Sequence, residues 1–164
     1  MPTGPTIEEM AVHVIRHADA GSRGSWHGPD EERPLVAGGR AQAAALVGQL
    51  LDARPRRILS SPLVRCVQTV QPLADALGIE VERHPSLAEG ARHEDAWALL
   101  ESLAGDEDAV LCSHGDVIPP MLERLARRGV PVHGAGHHVA KGSVWTIDAA
   151  DDGSLTTARL AYAP

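Results

Sequence analysis

The chain of 164 residues contains no phenylalanine and no asparagine, a single lysine (Lys141), one tyrosine and two cysteines. These gaps look like the codon bias of a GC-rich genome. The same bias makes arginine abundance uninformative in itself, although fourteen of the fifteen basic residues are arginine. The few cysteines, Cys66 and Cys112, lie in apolar segments with no Cys-x-x-Cys pair, which argues against a disulfide framework. Two reduced, buried thiols in a cytoplasmic protein are expected instead. No apolar run approaches the length of a membrane span, so no membrane association is expected. The start Met1-Pro2-Thr3-Gly4-Pro5 leads to Glu8-Glu9 and not to the basic and apolar regions of a signal peptide. Basic residues are outnumbered 15 to 22 by acidic ones, for a formal net charge of -7. General nucleic-acid binding needs a basic face and is not expected. A local cationic pocket is still compatible with that charge.

Apolar residues make up 43% of the chain, enough for a full core in one domain over 1–164, with a loose tail over 1–9. Strand-like and helix-like segments alternate. Val12 to Ile15 reads as a buried strand, and the polar stretch Ala18 to Pro34 is too long for a simple connection. A helix is expected over about Gly39 to Ala53, then a strand at Arg57-Ile58-Leu59. Ser61-Pro62 reads as an N-cap with proline at the first helical position. Leu63, Val67, Val70, Ala74 and Leu77 give the helical stripe that follows, ended by Gly78. A strand over Ile79 to Glu82, a helix over Asp95 to Ala104, a strand ending at Cys112 and a helix over Val117 to Arg128 come next. Pro119 and Pro120 fit only the first turn of that last helix. Val144 to Ile147 and Leu155 to Leu160 form a hairpin turning at Asp151-Asp152-Gly153. This alternation predicts an α/β fold, a three-layer α/β/α sandwich with a mainly parallel sheet.

Two strands end in histidine: Arg16-His17 after the first, Ser113-His114-Gly115 after the fourth. If these strands are neighbours, both imidazoles and Arg16 meet at the carboxyl edge of the sheet, where open α/β folds bind ligands. Arg65 falls in the first turn of its helix, where a cation is unfavourable unless an anion binds nearby. Arginine also matches phosphate oxygens with a two-pronged fork. Gly115 allows close backbone approach beside His114.

Arg16-His17-Ala18-Asp19, Arg33-Pro34-Leu35 with Gly39-Arg40-Ala41-Gln42-Ala43, Ser61 to Thr69, Leu87-Ala88-Glu89-Gly90 and Ser113-His114-Gly115-Asp116 occur in the order found in the histidine phosphatase superfamily. The chain resembles that phosphoglycerate mutase-like superfamily over nearly its whole length, and its small SixA-like branch most. The stretch from Arg16 to Arg23 is similar to the phosphatase domain attached to some actinobacterial MutT-like Nudix hydrolases. No Nudix segment is seen here, so a free-standing version of that domain is expected. The resemblance implies that His17 is the nucleophile. It implies that Arg16, Arg65 and His114 bind phosphoryl oxygens, that Arg23 assists, and that Glu89 protonates the leaving group and then activates water. Covalent catalysis divides one difficult displacement into two, and arginines can neutralise the charge without metal or cofactor. Ala18 stands where much of the superfamily has glycine, which implies a small change of pocket shape.

The shortness of the chain leaves little room for a cap, and an open site suits a phosphohistidine protein. A nucleotide or small-metabolite phosphatase and a non-catalytic phosphate-binding module are the alternatives. No Gly-x-Gly-x-x-Gly follows the first strand, against a dinucleotide-binding fold. Ser22, Arg23 and Trp26 are candidates for substrate or partner contact. His133, His137 and His138 fit no zinc pattern and are expected in a solvated loop. Lys141-Gly142-Ser143, which precedes a strand, is a candidate for the flank of the pocket. Arg124, Arg127 and Arg128 suit a helix C-terminus.

Overall fold

The structure, a computed structural model, describes residues 10–134, 136 and 138–164. The expected tail over 1–9 and His137 lie outside the described residues. Seven strands form one sheet: β1 (Met10–Arg16), β2 (Arg57–Ser60), β3 (Val81–Arg83), β4 (Ala109–Ser113), β5 (Val132–His133), β6 (Val144–Ala149) and β7 (Leu155–Tyr162). Their order is β3-β2-β4-β1-β6-β7-β5. Only β6 runs against the rest: it is antiparallel to β1 and β7, and every other pairing is parallel. The four helices are α1 (Ala37–Leu50), α2 (Val64–Leu77), α3 (His93–Leu103) and α4 (Ile118–Arg127).

The strand alternation sorts two cores. Val12, Val14, Leu59 and Leu111 pack with Trp97 and Leu100 of α3 and Met121, Leu122 and Leu125 of α4. Ile15, Ile58, Val110 and Cys112 pack with Leu46 and Leu50 of α1 and Cys66, Val70 and Leu73 of α2. The three layers are those the alternation predicts. β1 and β4 lie side by side with Arg16 opposite Ser113. Their outgoing connections diverge, toward α1 on one face and α4 on the other. That divergence opens a crevice at the carboxyl ends of the strands, the switch point of an open α/β sheet.

Four local expectations change. Ser61 is not the cap of α2: Leu63 holds that position without a side-chain cap bond, and Pro62 lies outside the helix. The Ser61 hydroxyl is engaged two residues on, accepting from Leu63 N at 3.3 Å, a serine turn and not a cap. The buried face of α2 is Arg65, Cys66, Thr69, Val70, Leu73 and Ala74, with Leu63, Val67 and Leu77 only half buried. Counting apolar residues misplaces this stripe because two of its members are polar. β3 begins at Val81 because Ile79 is used in the helix exit: Gly78 adopts φ 70° and Ile79 N donates to Ala74 O at 3.1 Å. The two-residue β5 was not expected, being too short to show a period.

The long segment after β1 is packed. Ala18, Ala20 and Leu35 form a small core with Ala43 of α1, and two tight turns, Arg23–Ser25 and Asp30–Glu32, shape the rest. Gly39 of α1 is required there, since a Cβ would lie 1.9 Å from Asp19 O. Among the described residues no helix is long and apolar enough to cross a membrane.

Candidate active site

The parallel strands β2, β4 and β1 end together and deliver Ser61, His114 and His17 to one edge. His17 N donates to Ser113 O at 3.0 Å, which locks the two strand ends. The imidazoles of His17 and His114 meet edge to face, with centroids 5.3 Å apart and planes at 61°. His17 is 6% exposed and His114 2%.

His17 Nδ1–H donates to Ala18 O at 2.8 Å. A carbonyl can only accept, so the ring proton sits on Nδ1 and the Nε2 lone pair is free. Burial, joined by His114, Arg65 and Arg16, outweighs the Ala18 hydrogen bond and pushes His17 down to about 3. The ring is therefore neutral at ordinary pH. His114 Nε2 lies 2.8 Å from Ser61 Oγ and 3.4 Å from Cys66 Sγ, while Leu63 N donates to the same Ser61 oxygen at 3.3 Å. His114 Nδ1 is buried with no partner among the described residues.

Arg16 donates through Nη1 to Val139 O at 2.8 Å, and its Nε has no partner among the described residues. Its guanidinium lies against Gly115, where a Cβ would stand 2.9 Å from Arg16 Cζ. Arg65 is 1% exposed, and its Nε likewise lacks a partner there. Its Nη2 donates to Glu89 Oε2 at 2.6 Å, while Arg23 Nη2 donates to Glu89 Oε1. The Glu89 loop is pinned by Ser113 Oγ donating to Leu87 O at 2.7 Å and Gly90 N donating to Asp116 Oδ2 at 2.8 Å. Two buried guanidinium N–H donors, of Arg16 and Arg65, and the Nδ1 of His114 are thus left without partners among the described residues, and each unmet donor costs roughly 1–3 kcal/mol unless a ligand accepts from it.

These groups line an open cleft of about 400 Å³ that brings together Arg16, His17, Arg23, Arg65, Glu89 and His114. All six residues singled out from sequence thus converge. Gly115, Asp116 and Lys141 share the lining, as does Arg33, which the sequence reading had named only as part of the resemblance. Asp30 and the site contact of Ser61 were missed. Asp30 sits in an acidic, loop-like stretch with no pattern of its own, and Ser61 looked like a helix cap. Ser22 and Trp26 do not line the cleft: Ser22 Oγ pairs with Ser25 Oγ at 2.9 Å, and Trp26 Nε1 donates to Pro29 O at 2.9 Å. His133 and His138 are exposed. Among the described residues no group of three or more His, Cys, Asp or Glu could hold a metal ion. Cys66 and Cys112 are free and buried.

Residues 12–92 match the family model described as histidine phosphatase superfamily (branch 1). The chain is 37% identical over 150 residues to an 8-oxo-(d)GTP phosphatase of Mycolicibacterium smegmatis, covering 88% of this chain but only 46% of that relative's length. It is 38% identical over 156 residues to an uncharacterised protein of Mycobacterium tuberculosis, covering 85% of this chain and 77% of that protein. The solved structure of the protein histidine phosphatase SixA complexed with tungstate shares the fold, with a TM-score of 0.72 at 20% identity over 93% of this chain and 97% of that one. The chain belongs to the histidine phosphatase superfamily, a class of phosphatase enzymes.

Proposed function

We propose that the chain hydrolyses phosphoryl groups through a covalent phosphohistidine on His17, with no metal or cofactor. One observation carries this reading: a neutral imidazole with its Nε2 lone pair free sits among the unpartnered Nε–H donors of Arg16 and Arg65 and the unpartnered Nδ1 of His114. The phosphoryl group binds to those donors. His17 Nε2 attacks phosphorus, the bond to the leaving group breaks, and Glu89 gives the leaving group a proton. Water then yields a proton to Glu89 and attacks the phosphoryl group, and His17 leaves as neutral imidazole. Each fixed donor of this kind is worth ~10²–10³ in rate.

The substrate favoured is a phosphohistidine side chain of a protein, whose imidazole is the leaving group. The cleft is open, and among the described residues its lining includes no tryptophan, tyrosine or phenylalanine. A nucleotide is the second reading, favoured by the likeness to the 8-oxo-(d)GTP phosphatase. Rapid-quench labelling with a phosphodonor is expected to trap an acid-labile, base-stable phosphoryl group on His17, and His17→Ala to abolish both label and turnover. Unlabelled wild type together with unchanged hydrolysis in His17→Ala would overturn the reading. Anion binding without turnover would mark a non-catalytic module. A panel of phosphohistidine peptide, nucleoside phosphates and sugar phosphates separates the substrates.

A further inference from the structure

Arg65 needs a particular orientation, and most of what holds it comes from a segment the sequence left unassigned. Its guanidinium is buried, so no bulk water steadies it. Asp30, in the tight turn Asp30–Glu32, takes one edge twice: its carbonyl oxygen accepts from Nη1 at 2.9 Å and its Oδ2 accepts from Nη2 at 3.2 Å. The other edge consists of Nε–H, which has no partner among the described residues, and the second hydrogen of Nη2, held by Glu89 Oε2 at 2.6 Å. The Glu89 oxygen thus stands on a donor that an arriving phosphoryl oxygen would use, with Nε–H beside it.

Asp30 is itself braced. Its Oδ1 accepts from Arg33 Nε at 3.0 Å and lies 3.6 Å from Arg23 Nε. Arg33 is 6% exposed and fastens the segment by donating from Nη1 to Ala20 O at 2.9 Å and Gly21 O at 3.1 Å. Burial works to raise Asp30, but Arg33, Arg65 and Arg23 together hold it below the ordinary carboxylate range, so it stays charged.

We propose that Asp30 is a positioning residue that grips one edge of Arg65 so that the Nε–Nη2 edge faces the phosphoryl group. This rests on the phosphatase reading above. Without the Asp30 carboxylate, Glu89 is the one carboxylate left on Arg65 among the described residues. It can then take the guanidinium in a two-pronged pair, which turns the productive edge away and ties up the proton donor.

The first test does not need turnover. In wild type the Arg65 Nε–H resonance, assigned by its loss in Arg65→Lys, is expected as a sharp, exchange-protected NMR signal that shifts when tungstate is added. In Asp30→Ala it is expected to broaden or vanish while backbone signals of α2 and the sheet persist. An unchanged Nε–H signal in Asp30→Ala overturns the proposal. The second test is kinetic. Asp30→Ala is expected to lower kcat by ~10–100-fold, the scale of a misplaced catalytic group. Vanadate, which mimics the transition state, is expected to lose inhibition in step with kcat, while inhibition by inorganic phosphate changes less than threefold. Asp30→Asn, which keeps an acceptor oxygen, is expected to recover part of the loss. Equal weakening of vanadate and phosphate, or kcat within twofold of wild type, overturns the proposal. An inactive wild type defeats the phosphatase reading alone, because the NMR result still decides what Asp30 does to Arg65.

Discussion

A single hydrogen bond decides which nitrogen of His17 reacts. Ala18 O fixes the proton on Nδ1, and burial holds the ring neutral down to about pH 3. The sign for activity follows: attack needs the neutral ring, so activity should not fall through His17 protonation until pH approaches about 3. Followed by NMR, the His17 ring nitrogens should show no protonation between pH 5 and 7. A midpoint near 6.5, lost in His17→Ala, would mean that His17 titrates like a free imidazole. His114 is held differently, by Ser61 and Cys66 at Nε2, with its Nδ1 left without a partner among the described residues. Two histidines of the same chemistry are thus oriented differently by the residues behind them.

At the scale of elements, α2 does more than cover the sheet. Thr69 Oγ1 donates to Arg65 O at 2.7 Å and accepts from Ala18 N at 2.9 Å, tying the helix that carries Arg65 to the residue after His17. Thr69→Val keeps the shape and leaves Ala18 N–H buried without a partner. It should cost ~1–3 kcal/mol in denaturant unfolding and lower turnover as the His17 backbone loosens. Unchanged stability would show that this link is not needed. On the opposite face, α4 ends in arginines that the sequence assigned to its C-terminal dipole. They do stand at that end, and Arg124 and Arg128 also stack over Trp97 at 4.6 and 5.1 Å from the ring centroid, sealing α3 to α4. The segment between β1 and α1, legible only as too long for a turn, carries Arg23, Asp30 and Arg33 into the site.

Across the whole molecule, charge is unevenly placed. A chain of net charge -7 gathers Arg16, Arg23, Arg33, Arg65 and Lys141 around one cleft. Buried histidines also link stability to pH. Burial lowers the proton affinity of both His13 and His17 from the ordinary 6.5. The unfolded chain therefore binds their protons more tightly, and the folded state should lose stability as pH falls from about 6.5 toward the depressed values. The urea midpoint should drop between pH 7 and 4, and the drop should be smaller in His13→Gln, which keeps a polar group near Thr146. Equal drops in the two proteins would assign the acid sensitivity elsewhere.

The α/β alternation, the two strand-end histidines and Arg65 were readable from local pattern, because strand period, helix spacing and turn residues act over a few positions. So was the convergence of His17 and His114, which needs only neighbouring parallel strands. Helix boundaries around Ser61 and Ile79 were misread where one residue serves a turn or cap and the site or sheet at once. The placement of Asp30 and the orientation of His114 depended on contacts across 35 and 53 residues, through Asp30 to Arg65 and Ser61 to His114. Such contacts leave no local period, since the partners are chosen by where the folded segments meet. Local sequence determined the elements and most of the chemical groups; the tertiary structure decided which edge of each group is left free to act.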